Sequence, residues 1–353
     1  MSVPLSEMES GPRFRHGLVI GKFYPLHAGH SNLIDAAVRM CETVTVEALG
    51  ATVESIPIDI RADWVRELHP TARVVAAIDD AAVDFASAAA WDAHMPVVRR
   101  LLHRPVDAVF TSDPYGEELA RRLSAEWVQV DPGRQRNPVS GTAVRANPAA
   151  HWSSLPSPVR AWLAARVVVL GAESTGTTTL AAALAEALGT HWVPEYGRDY
   201  SEFRDGGLAT PWRSDEFELI IERQFSLERD ALRRVPLPVL ICDTDVLATT
   251  IWHERYVGSP PPRLWELAAN HRPALYILSG DEIPFVQDGL RDGENLRHRM
   301  HDRFRRTLAE QPVPWLEVRG PVAERVAQAK PVIASALAAH LAFAPPLEQT
   351  RDT

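Results

Sequence analysis

The sequence predicts an α/β protein of two domains, each built on a parallel sheet, and three observations predict it. Short apolar runs alternate with stretches of helical period along most of the chain, the pattern left by interleaved strands and helices. Two of those runs, Leu18-Val19-Ile20 and Val167-Val168-Val169-Leu170, lead directly into glycine-containing turns followed by helical pattern, an order that gathers backbone amides around an anion. At 353 residues the chain exceeds one ordinary core and suits two.

The elements follow from the pattern. In the first half strands are expected at 17–21, 43–49, 72–77, 106–111 and 127–130, with helices at 31–41, 60–67, 86–102 and 117–124. Such interleaving argues Rossmann-like winding, with ligands beyond the carboxyl ends of the strands. Pro148, Pro156 and Pro158 stiffen a connection near 150–165, which separates expected domains at 14–150 and 166–342. In the second half strands are expected at 166–170, 192–193, 239–242 and 274–278, a basic lid at 289–306, and a closing alanine-rich helix within 321–343. Residues 1–13 and 344–353 read as loose polar tails.

Composition excludes several classes. The net charge of −9 gives no general attraction to nucleic acid. No apolar segment reaches the roughly 20 residues that cross a bilayer, and the N-terminus lacks a secretory pattern. Cys41 and Cys242 stand far apart in apolar contexts, suiting buried thiols in a reducing cytoplasm. Among 37 basic residues only Lys22 and Lys330 are lysines, so arginine must fill most cationic roles.

The first turn, Gly21-Lys22-Phe23-Tyr24-Pro25-Leu26-His27-Ala28-Gly29-His30, places two imidazoles where a strand ends and a helix begins. Both can face an anion held there, and imidazoles can donate hydrogen bonds to oxygens that gain charge during transfer between phosphates. Ser140, Thr142 and Arg145 form a second patch. Hydroxyls at a helix start suffice as caps, but the guanidinium adds a fixed charge suited to the β- and γ-phosphates of a nucleoside triphosphate. Arg61 and Trp64 lie one helical turn apart and are read as packing residues ahead of ligand-facing ones.

The decamer resembles the HxGH signature of the nucleotidyltransferase superfamily, and its Gly-Lys-Phe-Tyr-Pro form is most similar to nicotinamide-nucleotide adenylyltransferases. The run from Ser140 to Arg145 resembles the second signature of that superfamily, Ser-x-Thr-x-x-Arg. The resemblance implies transfer of an adenylyl group from ATP to nicotinamide mononucleotide, giving NAD and pyrophosphate. His27 and His30 would act at the α-phosphate. Gly21, Lys22 and Phe23, together with Ser140, Thr142 and Arg145, would bind ATP, and Asp113 would border the adenine. It also implies a tryptophan near the nicotinamide ring, for which Trp91 is the match, its π-face suited to stacking.

The second turn is Gly171-Ala172-Glu173-Ser174-Thr175-Gly176-Thr177-Thr178-Thr179. Strand, glycine loop and helix in this order make a phosphate-binding P-loop, with Thr178 placed to reach Mg²⁺, but Thr177 stands where the lysine belongs. Arg198, Arg291 and Arg299 are the candidate replacement cations. Glu195 is a carboxylate suited to accept a hydroxyl proton, and Asp243, ending an apolar run, suits Mg²⁺ coordination. Glu195-Tyr196-Gly197-Arg198-Asp199-Tyr200, Asp243-Thr244-Asp245 and Gln287-Asp288-Gly289-Leu290-Arg291 resemble the ribosylnicotinamide kinase half of bifunctional NadR-type proteins. That implies ATP-dependent phosphorylation of nicotinamide riboside. No helix-turn-helix pattern precedes Gly17, so the repressor role of some relatives is not expected. The alternatives are a nucleotidyltransferase for another phosphorylated acceptor and a second domain that senses nucleotide without transferring phosphate. The sequence is compatible with a homo-oligomer and does not set its size.

Overall fold

The computed structural model describes residues 11–207, 210–259, 261–283 and 294–347. They form two compact units that divide between Val159 and Arg160, and the chain from Ala342 onward packs with the first unit.

The first unit runs β1 (Phe14–Gly21), α1 (Ala28–Met40), β2 (Cys41–Gly50), α2 (Ile58–Leu68), β3 (Arg73–Ile78), α3 (Ala88–Leu101), β4 (Ala108–Thr111), α4 (Tyr115–Leu123), β5 (Glu126–Gln129) and α5 (Gly141–Ala146). Its five described strands are parallel, in the order β3-β2-β1-β4-β5. Leu18 stands opposite Thr45 on one side and Val109 on the other. The winding reverses direction at β1, so the crevice for a ligand opens beyond the ends of β1 and β4. Trp91, Met95 and Val98 sit on one face of α3 and pack with Leu18, Val109 and Leu119 into a core, each large side chain contributing about 1.5–3 kcal/mol through burial.

α1 starts at Ala28, three residues earlier than the sequence predicts, because His27 takes the N-cap position and its carbonyl accepts from the His30 amide at 2.9 Å. The connection also differs from expectation: Trp152–Ser154 makes a 3₁₀ turn and Ser157–Leu163 the helix α6, so Pro158 lies within a helix start, where proline is tolerated. Trp152, Leu155 and Val159 are buried.

The second unit runs β6 (Ala165–Leu170), α7 (Thr177–Leu188), β7 (Trp192–Val193), α8 (Tyr196–Phe203), α9 (Ser214–Leu232), β8 (Val239–Asp243), α10 (Val246–Val257), α11 (Pro262–Asn270), β9 (Leu275–Ser279), α12 (Glu294–Ala309), β10 (Trp315–Val318) and α13 (Val322–His340). The described sheet is parallel, ordered β10-β9-β6-β8-β7. The apolar run of β6 is central and buried on both faces, as parallel sheets require. α7 packs Leu180 and Leu184 onto Val167, Val169 and Ile241, and α13 closes this core with Ala329 and Ile333. The expected lid begins outside the described residues; its described part is α12. The residues expected as a loose N-terminal tail lie largely outside the description, although Arg13 pairs with Glu126 at 2.6 Å. Ala344, expected in the other tail, is hydrogen-bonded into the first unit. No described helix is long and apolar enough to cross a membrane.

Two candidate phosphate sites

The first site lies at the carboxyl edge of β1 and β4. His27 and His30 stack with ring centroids 3.8 Å apart at 21°. Gly29 permits this, since a Cβ there would stand 3.1 Å from the His27 ring. Burial drives both imidazoles toward the neutral form, His27 down to about 4 and His30 well below its usual range, with Arg134 and each His's charged neighbours adding to the effect. Each neutral ring carries one N–H, and the Nδ1 atoms of both are buried without a hydrogen-bond partner. Such groups cost free energy unless a ligand satisfies them. They border a cleft shared with Gly21, Lys22, Ser112, Asp113, Tyr115, Arg134 and Gly141.

The sequence-predicted residues are distributed around it as follows. Asp113 lines the cleft and pairs with Arg134 at 2.9 Å, both partners half exposed. Lys22 borders it too, with Nζ 3.4 Å from Glu54. Phe23 is fully buried in left-handed backbone (φ 47°), its ring meeting His30 edge-on at 5.1 Å. Ser140 caps α5, accepting from the Ala143 amide at 3.1 Å. Thr142 accepts from Arg145 at 3.1 Å, and Arg145 also donates to the Tyr24 carbonyl at 2.7 Å.

Trp91, expected near the nicotinamide ring, packs in the core of the first unit. It is 7% exposed, donates to the Phe85 carbonyl at 3.1 Å, and does not border the cleft, because α3 turns positions 91, 95 and 98 together into the core. The aromatic surface at this edge is instead Tyr115 and the exposed Phe85, stacked at 5.0 Å. Arg61 is a core residue: 1% exposed, 2.5 Å from Glu54, its guanidinium over the Tyr24 ring at 4.5 Å. Trp64 is buried as well, so this pair packs, as the sequence reading favoured.

Arg134 and Tyr115 are cleft residues that the sequence reading passed over. The turn Asp131-Pro132-Gly133-Arg134, just after β5, carried the available signal: a guanidinium on a tight turn at the ligand edge.

The second site forms where the loop 171–176 meets the end of β8. Gly176 (φ 78°) caps α7, and Thr178 Oγ1 donates to Asp243 Oδ2 at 2.6 Å. Thr177, at the lysine position, helps to hold the Asp243 carboxyl down. Thr179 is exposed in the first turn of α7. Asp243 is buried, which pushes its carboxyl up against the pull of both threonines. Glu195 is pushed up to about 7, by burial first and then by Asp243 and Glu173, while Arg198 opposes the shift. Arg198 thus acts on both carboxylates. Arg299 sits on the exposed face of α12, and Arg291 lies outside the described residues.

Two further features here escaped the sequence reading. Arg325, 1% exposed on α13, donates to the Thr175 carbonyl at 2.8 Å and to Ser279 Oγ at 2.6 Å, so it fixes the loop's backbone. Beside the loop stands an aromatic wall in which Trp212 stacks with Tyr256 at 5.6 Å, and Tyr256 donates to Glu173 at 3.1 Å. Among the described residues no cluster of three or more histidine, cysteine or acidic side chains has metal-holding geometry.

Fold and sites together define a protein of two parallel α/β units, each with a candidate phosphate site beyond its strands, the second at a P-loop in which Thr177 stands at the lysine position. Residues 166–325 match the family model described as an AAA domain. Over 294 residues the chain is 28% identical to the trifunctional NAD biosynthesis/regulator protein NadR of Escherichia coli (strain K12), spanning 78% of this chain and 71% of that protein. The crystal structure of NadR protein in complex with NR superposes with a TM-score of 0.67 at 21% identity, covering 93% of this chain and 97% of the other. That of NadR protein in complex with NAD and AMP-PNP gives 0.67 at 21%, covering 92% and 96%. These two likenesses establish the shared fold across both units.

Proposed function

We propose that the chain is a two-site enzyme of NAD salvage. The first unit joins ATP and nicotinamide mononucleotide into NAD and pyrophosphate, and the second phosphorylates nicotinamide riboside with ATP. The observation that carries this reading is the pair of stacked, neutral imidazoles at the start of α1, His27 buried and His30 half-buried, both with a buried, unsatisfied Nδ1. The similarity to NadR supports the choice of substrates.

In the first unit a phosphate oxygen of the mononucleotide attacks the α-phosphorus of ATP, and the bond to the bridging oxygen of pyrophosphate breaks. Charge grows on the α-phosphate oxygens and on the leaving group. His27 and His30 donate to the former, and the amides opening α1 add their dipole. Lys22, Arg134 and Arg145 hold the triphosphate, Asp113 releasing Arg134 as it arrives. Gly21, Ser140 and Thr142 shape the rim, and the faces of Tyr115 and Phe85 offer a place for the nicotinamide ring.

In the second unit Glu195 accepts the 5′-hydroxyl proton of the riboside as the γ-phosphoryl group transfers. Thr178 Oγ1 and the Asp243 carboxylate would hold the Mg²⁺ that arrives with ATP, and the ion would screen the phosphates. Arg198 takes over the charge that a P-loop lysine supplies. Trp212 and Tyr256 provide faces for a flat cationic ring.

A sensing role for the second unit, binding nucleotide without transfer, is favoured by Thr177, which leaves the loop without its lysine. Incubation of the full chain with nicotinamide riboside and labelled ATP separates the two. Label in the mononucleotide supports the kinase, and none at high enzyme leaves the sensor.

A further inference from the structure

We infer that the segment following α13, through Phe343 and Ala344, is a positioning element for adenylyl transfer in the first unit. The inference rests on the adenylyltransferase reading of that unit.

The chain from Ala342 belongs to the first unit, and its contact is with the signature turn itself. Tyr24, 1% exposed, donates through its hydroxyl to the Ala344 carbonyl at 2.8 Å. The Ala344 amide donates to Ser55 Oγ at 3.1 Å, Ser55 Oγ lies 2.7 Å from the Tyr24 hydroxyl, and the Ser55 amide donates to that hydroxyl at 3.0 Å. Phe343 meets the Tyr24 ring edge-on at 5.7 Å and 90°. Ala344 precedes Pro345-Pro346, which biases it toward extended backbone. An extended residue presents its N–H and C=O on one side, and here both are used on the same partner pair.

From Tyr24 the contact continues to the reaction machinery. The Arg145 guanidinium lies over its ring at 5.2 Å and donates to its carbonyl at 2.7 Å. Gly141, a cleft residue, keeps this contact close, since a Cβ there would stand 3.1 Å from Arg145 Nη1 and 3.2 Å from the Tyr24 carbonyl and would press on both. Phe343 and Ala344 therefore hold Tyr24, and Tyr24 sets where Arg145 points. A guanidinium displaced by about 1 Å is enough to cost a large part of transition-state stabilisation.

The test uses the full chain carrying Phe343→Ala, a chain ending at Leu341, and Phe343→Leu, assayed for dinucleotide formation from ATP and nicotinamide mononucleotide. The first two should lose at least tenfold in kcat with KM for the mononucleotide changed less than twofold, and Phe343→Leu should recover most of the rate. On an Arg145→Ala background, Phe343→Ala should cost less than twofold more, because both act through one group. Unchanged kcat in the first two variants, or full additivity with Arg145→Ala, would overturn the inference. An unmodified chain that forms no dinucleotide removes the adenylyltransferase reading itself, and the inference with it.

Discussion

Thr178 Oγ1 and Asp243 Oδ2 stand 2.6 Å apart, joining the start of α7 to the end of β8. The residue in the lysine position, Thr177, brings no positive charge to the acidic cluster beside it. Arg198 is the guanidinium that acts on that cluster. Arg198→Ala should lower phosphorylation of nicotinamide riboside by about tenfold or more. Thr177→Lys should preserve or raise turnover, and in the double variant it should restore part of what Arg198→Ala removes. Steady-state rates of the three variants check this.

Glu195 provides a pH signature. Its carboxyl, pushed up to about 7, is protonated below that pH and able to accept a proton above it. Kinase kcat/KM should therefore rise with pH through about 7 and level off, and Glu195→Gln should leave a rate at least ~100-fold lower with no such rise. A profile measured from pH 5.5 to 8.5 on both proteins tests the assignment.

Glu47 is fully buried in β2, both carboxyl oxygens lack partners, and burial pushes it up to about 8 against the opposing charge of Arg73. An acid raised in the folded state costs nothing below its unfolded value, where both states are protonated. The cost grows from about pH 4.5 as the unfolded chain ionises first. Glu47→Gln should flatten the fall in stability between pH 4.5 and 8, and Glu47→Leu should stabilise by about 1–3 kcal/mol at pH 8. Urea unfolding at three pH values reads both.

Arg61 and Glu54 form a buried pair at 2.5 Å, 1% and 0% exposed at their side chains. Removing one partner strands the other charge, so Arg61→Ala should cost about 3–5 kcal/mol, and Arg61→Met with Glu54→Leu together should cost much less. Thermal unfolding of the two proteins makes the comparison.

What was legible in the sequence was local. The imidazole turn and the glycine loop each lie within about ten residues after an apolar strand, so strand, loop and helix order exposed them directly. Asp243 could be read because a buried parallel strand ends in a carboxylate at the ligand edge. Arg325 and the Phe343–Ala344 segment were not legible, because tertiary folding brings them to their sites across long stretches of chain. The core packing of Trp91 was also locally signalled. Its helical spacing with Met95 and Val98 already marks a core stripe, and that period is stronger evidence than the presence of a large ring. Ser140 caps α5, the structural role that a hydroxyl at a helix start already suggests.

The central claim is that His27 and His30 stabilise charge at the α-phosphate, and the most direct measurement is the rate of dinucleotide formation from ATP and nicotinamide mononucleotide by the unmodified chain and by folded His30→Ala. The account predicts NAD and pyrophosphate from the former and a loss of about 10²–10³ in kcat for the latter. A folded His30→Ala protein that formed dinucleotide at the unmodified rate would contradict it.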